Sequence, residues 1–263
     1  MGADMKIAGR LGICVLLPAL AAALLACFDG GRSAGNGGSA DGGTLGGALA
    51  EAGGAGRVYA LPAPRADGAV SVEAALARRR SQRNFQDRAI SAEQLSQILW
   101  AAYGITLPSA HPQLRGGLRT APSAGALFPL EVYAIVGNVE GIAPGVYRFV
   151  ADGHKIAMVS DGDVRQDLMR AALGQRMVGA APASIFFSAA LARSTGRYGE
   201  RGIRYAHIEL GHSAQNVYLQ ATALGLGTVA IGAFDDGRVS RLLGLPPGET
   251  PLYIMPIGHY RAD

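Results

Sequence analysis

The octet Arg78-Arg79-Arg80-Ser81-Gln82-Arg83-Asn84-Phe85 places four guanidiniums and a hydroxyl where a helical pattern gives way to a loop. Planar guanidinium forks and a hydroxyl can collect several oxygens of one phosphate, a geometry lysine cannot match. Cations at a helix C-terminus are also favoured by the helix dipole and remain solvated, so the octet taken alone fits both roles. A second segment, Arg119-Thr-Ala-Pro-Ser-Ala-Gly-Ala-Leu-Phe-Pro-Leu-Glu131, has too little side chain to build a core. Gly125 lacks a Cβ, Ala124 and Ala126 barely project, and Pro122 and Pro129 fix the turn on either side. A flat ligand could lie against such backbone.

A third segment is Gly232-Ala233-Phe234-Asp235, and together the three make a candidate flavin site. A flavin needs a phosphate clamp, a slot lined by backbone and small side chains, and a donor near N5. A fourth, Arg197-Tyr198-Gly-Glu-Arg201-Gly-Ile-Arg204-Tyr205, reads either as a solvated loop or as the source of a proton donor. In the second case Tyr198 or Tyr205 would have its pKa lowered by adjacent arginines. Glu209, His212 and Asn216 stand at i, i+3 and i+7 and could line a pocket, meet a second subunit, or be satisfied polar positions of a buried helix.

Several chemistries are excluded. Gly225-Leu-Gly-Thr-Val-Ala230 matches a dinucleotide fingerprint in spelling only, since the order here is helix, glycines, strand, and no helix N-terminus meets a pyrophosphate. Both cysteines, Cys14 and Cys27, precede the folded part, which leaves no disulfide, thiol nucleophile or cysteine metal site there. His207 and His212 are about 140° apart on a helix, so they do not share a metal ion, and no metal site is expected. The net charge of +4 is mild and no basic block is interleaved with aromatics, so nucleic acid is not an expected partner.

The elements that must position these residues follow from spacing. Ser71 caps a helix reaching about Arg80, and Ser91-Ala-Glu-Gln94 is a capping box ahead of Leu95, Ile98, Leu99 and Ala102. Leu130–Val136 and Gly145–Val150 read as strands, the latter turning into Lys155–Ser160 as a hairpin. Further elements are a short helix at 163–173, a buried strand at 184–191, and the longest helix at 202–224, with apolar stripe Leu210, Ala214, Val217, Ala221 and Leu224. Strands at 228–233 and 252–258 flank a short helix near 238–243. One α+β domain over 58–263 is the economical reading.

Residues 1–27 are laid out as a signal peptide, with Lys6 and Arg10 before an apolar run that ends Leu-Ala-Cys27. A small residue followed by cysteine is similar to a lipoprotein lipobox. Residues 28–57 form a flexible tether, with 12 glycines in the 29 residues from 28 to 56, and a random-coil reach of about 30 Å. The expectation is an exported lipoprotein touching the membrane only through its N-terminal lipid, or a cytoplasmic protein if translation starts downstream.

In this order the segments resemble the nitroreductase superfamily, and most closely its SagB-type dehydrogenase branch. The match rests on residues 79–85 with 95–106, 119–133 with Gly145-Val-Tyr-Arg-Phe149, 197–201 through Glu209-Leu-Gly-His-Ser-Ala-Gln-Asn216, and Ala230–Asp236 with Pro256-Ile-Gly258. The resemblance implies an FMN-binding α+β fold, a mostly antiparallel central sheet flanked by helices, and usually a homodimer with flavin at the subunit interface. It also implies hydride transfer through flavin N5, with NAD(P)H as electron donor and a small-molecule or peptide substrate. On matching positions Arg79, Arg80, Ser81 and Arg83 would hold the FMN phosphate and ribityl chain. Pro122, Ser123, Ala124, Gly125, Ala126 and Leu127 would lie along the isoalloxazine, and Gly232 and Ala233 near N5. A C-terminal basic residue, His259 or Arg261, would join the phosphate. Where azoline-forming members use a Lys-Tyr pair to remove a proton, this chain has Arg197-Tyr198 or Arg204-Tyr205, and arginine is a poor base. A non-catalytic flavin- or ligand-binding lipoprotein is the alternative from another class.

Overall fold

The computed structural model describes residues 56–261. The leader through Cys27 and the glycine-rich stretch to residue 55 lie outside the described residues. In chain order the elements are β1 (Val58–Ala60), α1 (Val72–Arg78), α2 (Ala92–Tyr103), the hairpin β2 (Ile105–Pro108) and β3 (Gly117–Arg119), β4 (Leu130–Val136), β5 (Gly145–Val150) and β6 (Lys155–Asp161). Then follow α3 (Arg165–Ala171), α4 (Arg176–Ala180), β7 (Ala183–Ala190), α5 (Ala192–Tyr198), α6 (Arg201–Ala223), β8 (Gly227–Thr228), α7 (Asp236–Leu242) and β9 (Glu249–Gly258). Seven strands form one sheet in the order β1-β6-β5-β4-β7-β9-β8, every pair antiparallel.

All seven residues of β4 are buried, because helices cover both faces of the sheet. Leu130, Val132, Ala134 and Val136 pack with α2 and α6, where Leu99, Ala102, Leu210 and Val217 lie. Tyr133 and Ile135 point the other way, onto a second core with Leu168, Val178 and Val239 from α3, α4 and α7. The period-2 alternation of a strand thus feeds two apolar layers rather than one apolar and one wet face. Helix α2 begins at the expected box: Ser91 Oγ accepts from Gln94 N at 3.2 Å while Gln94 Oε1 accepts from Ser91 N at 3.0 Å.

Two local readings change, and the structure adds elements that the sequence does not signal. The 228–233 stretch pairs as a strand only at Gly227–Thr228 and again at the Ile231–Ile254 bridge. Between them Ala230 N donates to the Tyr218 hydroxyl at 2.9 Å, which takes that N–H out of any sheet ladder. Arg197 and Tyr198 sit in α5 rather than in a loop, and the break before α6 comes at Gly199, with φ +56°. The β2–β3 hairpin and α4 carry no clear sequence signal, being short and stabilised by what they pack against.

Candidate functional site

The arginine octet folds as the exit from α1. Ser71 Oγ caps that helix by accepting from Ala74 N at 3.2 Å. At the far end Arg80 turns back, its Nη1 donating to Ala77 O at 3.1 Å and Arg79 O at 2.8 Å, and so satisfies carbonyls the helix leaves open. Arg79 lies over the Tyr218 ring, 5.3 Å from its centroid, and Arg83 is exposed. Ser81 and Gln82 run beside β8, with Gln82 N donating to Thr228 O at 2.9 Å. That approach requires Gly227, where a Cβ would come 2.6 Å from Gln82 Cβ. On the other side Arg261 N donates to Asn84 O at 2.9 Å, which brings the C-terminal arginine to the same segment. Among the described residues, no carboxylate comes within 4 Å of Arg79, Arg80, Arg83 or Arg261. Arginines without carboxylate partners on a segment that carries an exposed serine fit an anionic ligand.

Tyr218, which the sequence did not single out, joins this clamp to the glycine segment. Its hydroxyl lies 3.0 Å from Ser81 Oγ and accepts from Ala230 N at 2.9 Å. Beyond Ala230 the exposed pair Gly232 and Ala233 is held at both ends. Ile231 pairs with Ile254, Gln175 Nε2 donates to Ala233 O at 2.8 Å, and Asp235 caps α7. Replacing Tyr218 with phenylalanine removes both bonds and leaves the ring under Arg79. If the hydroxyl sets the spacing between clamp and glycine segment, Tyr218→Phe weakens binding of a ligand spanning both by about tenfold. Isothermal titration would check this, and an unchanged affinity would refute it.

The small-residue loop is a strained turn. Ala126 N donates to Ser123 O at 3.0 Å and Phe128 N to Ser123 Oγ at 2.9 Å. Gly125, Ala126 and Phe128 have φ of 62°, 53° and 46°. The two with side chains cost about 1–2 kcal/mol each for that conformation. Pro122 and Gly125 are exposed, and Ala124, Ala126 and Leu127 half-buried. Tyr198 stands against this loop, since a Cβ built on Gly125 would come 2.6 Å from its hydroxyl and 3.2 Å from Arg197 Nη1. Tyr205 packs edge-on to Tyr198 at 5.0 Å, and Arg197 lies 5.5 Å from the Tyr198 ring centre. The two tyrosines are therefore neighbours, and it is Tyr198 that reaches the loop.

Beneath the loop lies a buried polar group. Tyr103 donates to the Glu209 carboxylate, and Arg119 stacks 5.4 Å from the centroids of both Tyr103 and Phe128. Burial pushes the Glu209 pKa up, against the pull of Ser123, Tyr103 and Arg119, and burial together with Glu209 pushes Tyr103 well up. The three polar residues picked out on α6 do not act as one set. Glu209 is buried, Asn216 Nδ2 donates to Thr120 O at 3.2 Å, and His212 is exposed. Tyr205, Glu209, Asn216 and Tyr218 nevertheless share one helix, so α6 is the rod that sets Glu209 beneath the loop and Tyr218 at the clamp about 13 Å apart along its length.

An antiparallel α+β sandwich that brings unpaired arginines, a glycine segment and a small-residue turn onto one helix has the makings of a cofactor-binding oxidoreductase. The chain belongs to the nitroreductase family, whose pattern it matches over residues 76–259, and members are generally flavin-dependent oxidoreductases. A Methanocaldococcus jannaschii protein classed with the nitroreductases is 43% identical over 189 residues, 72% of this chain and 91% of its own length. A solved Anabaena variabilis structure, also classed there, has 29% identity and a TM-score of 0.63, covering 72% of this chain and 38% of that one. A chain of the E. coli microcin synthetase McbBCD complex, solved with truncated pro-MccB17 bound, shares the fold at a TM-score of 0.61 and 24% identity, with 70% of each chain covered.

Proposed function

We propose that this protein is an FMN-dependent oxidoreductase of the SagB-type dehydrogenase branch, using NAD(P)H as electron donor and acting on a small organic or peptide substrate. The observation that carries the reading is the Tyr218 hydroxyl. It ties Ser81 in the cationic clamp to Ala230 at the entrance to Gly232–Ala233, so a phosphate site and a backbone-lined slot are built as one unit. Arg79, Ser81, Arg83 and Arg261 would hold the FMN phosphate and ribityl chain, while Arg80 also closes the end of its own helix. Bound FMN supplies reversible hydride transfer at N5. Residues 122–127 and Gly232–Ala233 would line its ring with backbone and small side chains. Tyr198, whose hydroxyl stands against Gly125, would hold the proton exchanged with substrate, and Tyr205 keeps the Tyr198 ring in place.

The branch assignment is supported by the order of the four motif groups. A homodimer would be built on the solvent side of α6, where Ile203 and Ile208 are 40% and 49% exposed. Export and lipidation at Cys27 complete the proposal. The test is the visible spectrum of the purified full chain, with the released cofactor identified by chromatography. Bound FMN that NADH or NADPH bleaches is the expected result. FMN that no nicotinamide or substrate reduces would favour a flavin-binding lipoprotein without turnover, and a colourless protein that takes up no added FMN would overturn the reading.

A further inference from the structure

Three arginines, Arg115, Arg148 and Arg193, converge on one carboxylate at the start of β4, and a fourth, Arg119, links them to the Tyr103–Glu209 group. Glu131, 7% exposed, is their common carboxylate. Its Oε2 takes Arg148 through Nη2 at 2.7 Å and Nε at 3.1 Å, and its Oε1 takes Arg193 Nη2 at 2.5 Å. Oε2 is hydrogen-bonded twice, whereas the Arg193 contact to Oε1 is an ion pair and leaves that buried oxygen without a hydrogen bond. Arg115 is left over, with its Nη2 3.6 Å from an oxygen Arg193 already holds. Arg119 is bound to the same group through its Nη2, which donates to Arg115 O at 2.9 Å. Glu249 and Asp152 add negative charge near Arg148 and Arg119. Arg115 has only its share of Glu131 against three guanidiniums, and burial and the charge of Arg193 lower its pKa.

The backbone shows that this surplus cation is held on purpose rather than left to drift. Arg115 is in the left-handed region at φ 47°, ψ 51°, where glycine or asparagine would sit without strain. Strain retained at a charged, 43% exposed side chain points to a role for that side chain. The place is informative too. Arg193 Nη1 donates to Phe128 O at 3.0 Å, at the end of the small-residue loop. Arg197, one turn further along the same face of α5, reaches Gly125. A file of guanidiniums thus runs from Arg115 to the loop.

We infer that Arg115, Arg148 and Arg193 form an anion subsite that seats a carboxylate or phosphate group of the substrate beside the loop. Planar forks pair with either oxyanion in two-pronged fashion. As a statement of substrate class this rests on the flavin reading above; as a binding site it stands on the arginine geometry alone. The protein would therefore act on acidic substrates, and their anionic end would be anchored away from the reacting atom.

Titration of the full-length protein with citrate, and separately with inorganic phosphate, tests the site. The Arg79→Gln, Arg83→Gln background weakens phosphate capture by the clamp, and anion binding at the Glu131 group is expected to be unchanged by it. Arg115→Gly relieves the left-handed strain, so its thermal midpoint is expected to hold while affinity for the anion falls about tenfold or more. Arg115→Lys keeps the charge without the fork and is expected to fall between the two. Citrate binding alone marks a carboxylate end, phosphate binding alone a phosphate end. Wild-type protein that binds neither at about 1 mM, or an Arg115→Gly variant that binds both as wild type, would overturn the proposal. Arg115-dependent citrate binding in a protein that takes up no FMN would keep the anion site and reject the flavin reading.

Discussion

Glu131→Gln is expected to lower unfolding stability by about 3–5 kcal/mol at neutral pH, the cost typical of removing one partner from a buried ion group. The carboxylate is the single strong counter-charge for Arg148 and Arg193, and its loss leaves these with Arg115 as three cations in partly desolvated surroundings. Urea unfolding followed by circular dichroism would read the change, and a loss below about 1 kcal/mol would show the arginines to be solvated instead. The pH dependence has a definite sign. Burial works against the Glu131 charge, but Arg148 and Arg193 outweigh it, so the folded pKa lies below the ordinary carboxylate value of 4.5. The ionised group therefore stabilises the fold above its unfolded pKa, and that contribution is lost as pH falls through the lowered folded value. The gap between wild type and Glu131→Gln should hold from neutrality down to the ordinary carboxylate value of 4.5 and close only below it, as pH falls through the lowered folded value.

The double change Arg79→Gln, Arg83→Gln is expected to weaken FMN binding by about a hundredfold or more, since each charge-assisted bond to phosphate is worth about 1.5–3 kcal/mol. Both side chains are without carboxylate partners among the described residues, so their loss should leave the thermal midpoint of the cofactor-free protein nearly unchanged. Arg80→Gln serves as the contrast. Two of its contacts already go to Ala77 O and Arg79 O, so it should cost more helix stability and less affinity. Quenching of flavin fluorescence on titration gives the affinities. If the double variant binds FMN as tightly as wild type, the phosphate is held elsewhere.

Much of the architecture was legible because it rests on local rules. The capping box at Ser91, the apolar stripe of the long helix, and the runs that became β4, β5, β6 and β9 are short-range patterns set by backbone period and by hydrogen-bonding needs at chain ends. The stretch 228–233 was misread as continuous strand because its composition is strand-like, while a tyrosine ten or more residues earlier takes the Ala230 N–H. Arg197 and Tyr198 were ambiguous for a related reason: a two-turn helix gains its stability from packing, which no local propensity records.

The sequence by itself determined the residue types that can meet a phosphate and a flat ring, the small side chains of 122–127, the family likeness, and the order of the elements. Those are properties of single segments. Only the tertiary structure decided which segments meet. It set Tyr218 between Ser81 and Ala230, brought Arg261 to Asn84, placed Tyr198 rather than Tyr205 against Gly125, and gathered Arg115, Arg148 and Arg193 on Glu131. These partners come from distant parts of the chain, and the contacts exist because a seven-stranded antiparallel sheet and one long helix carry them to the same place. Spacing along the chain cannot encode that, because contact between remote residues is fixed by how whole layers pack.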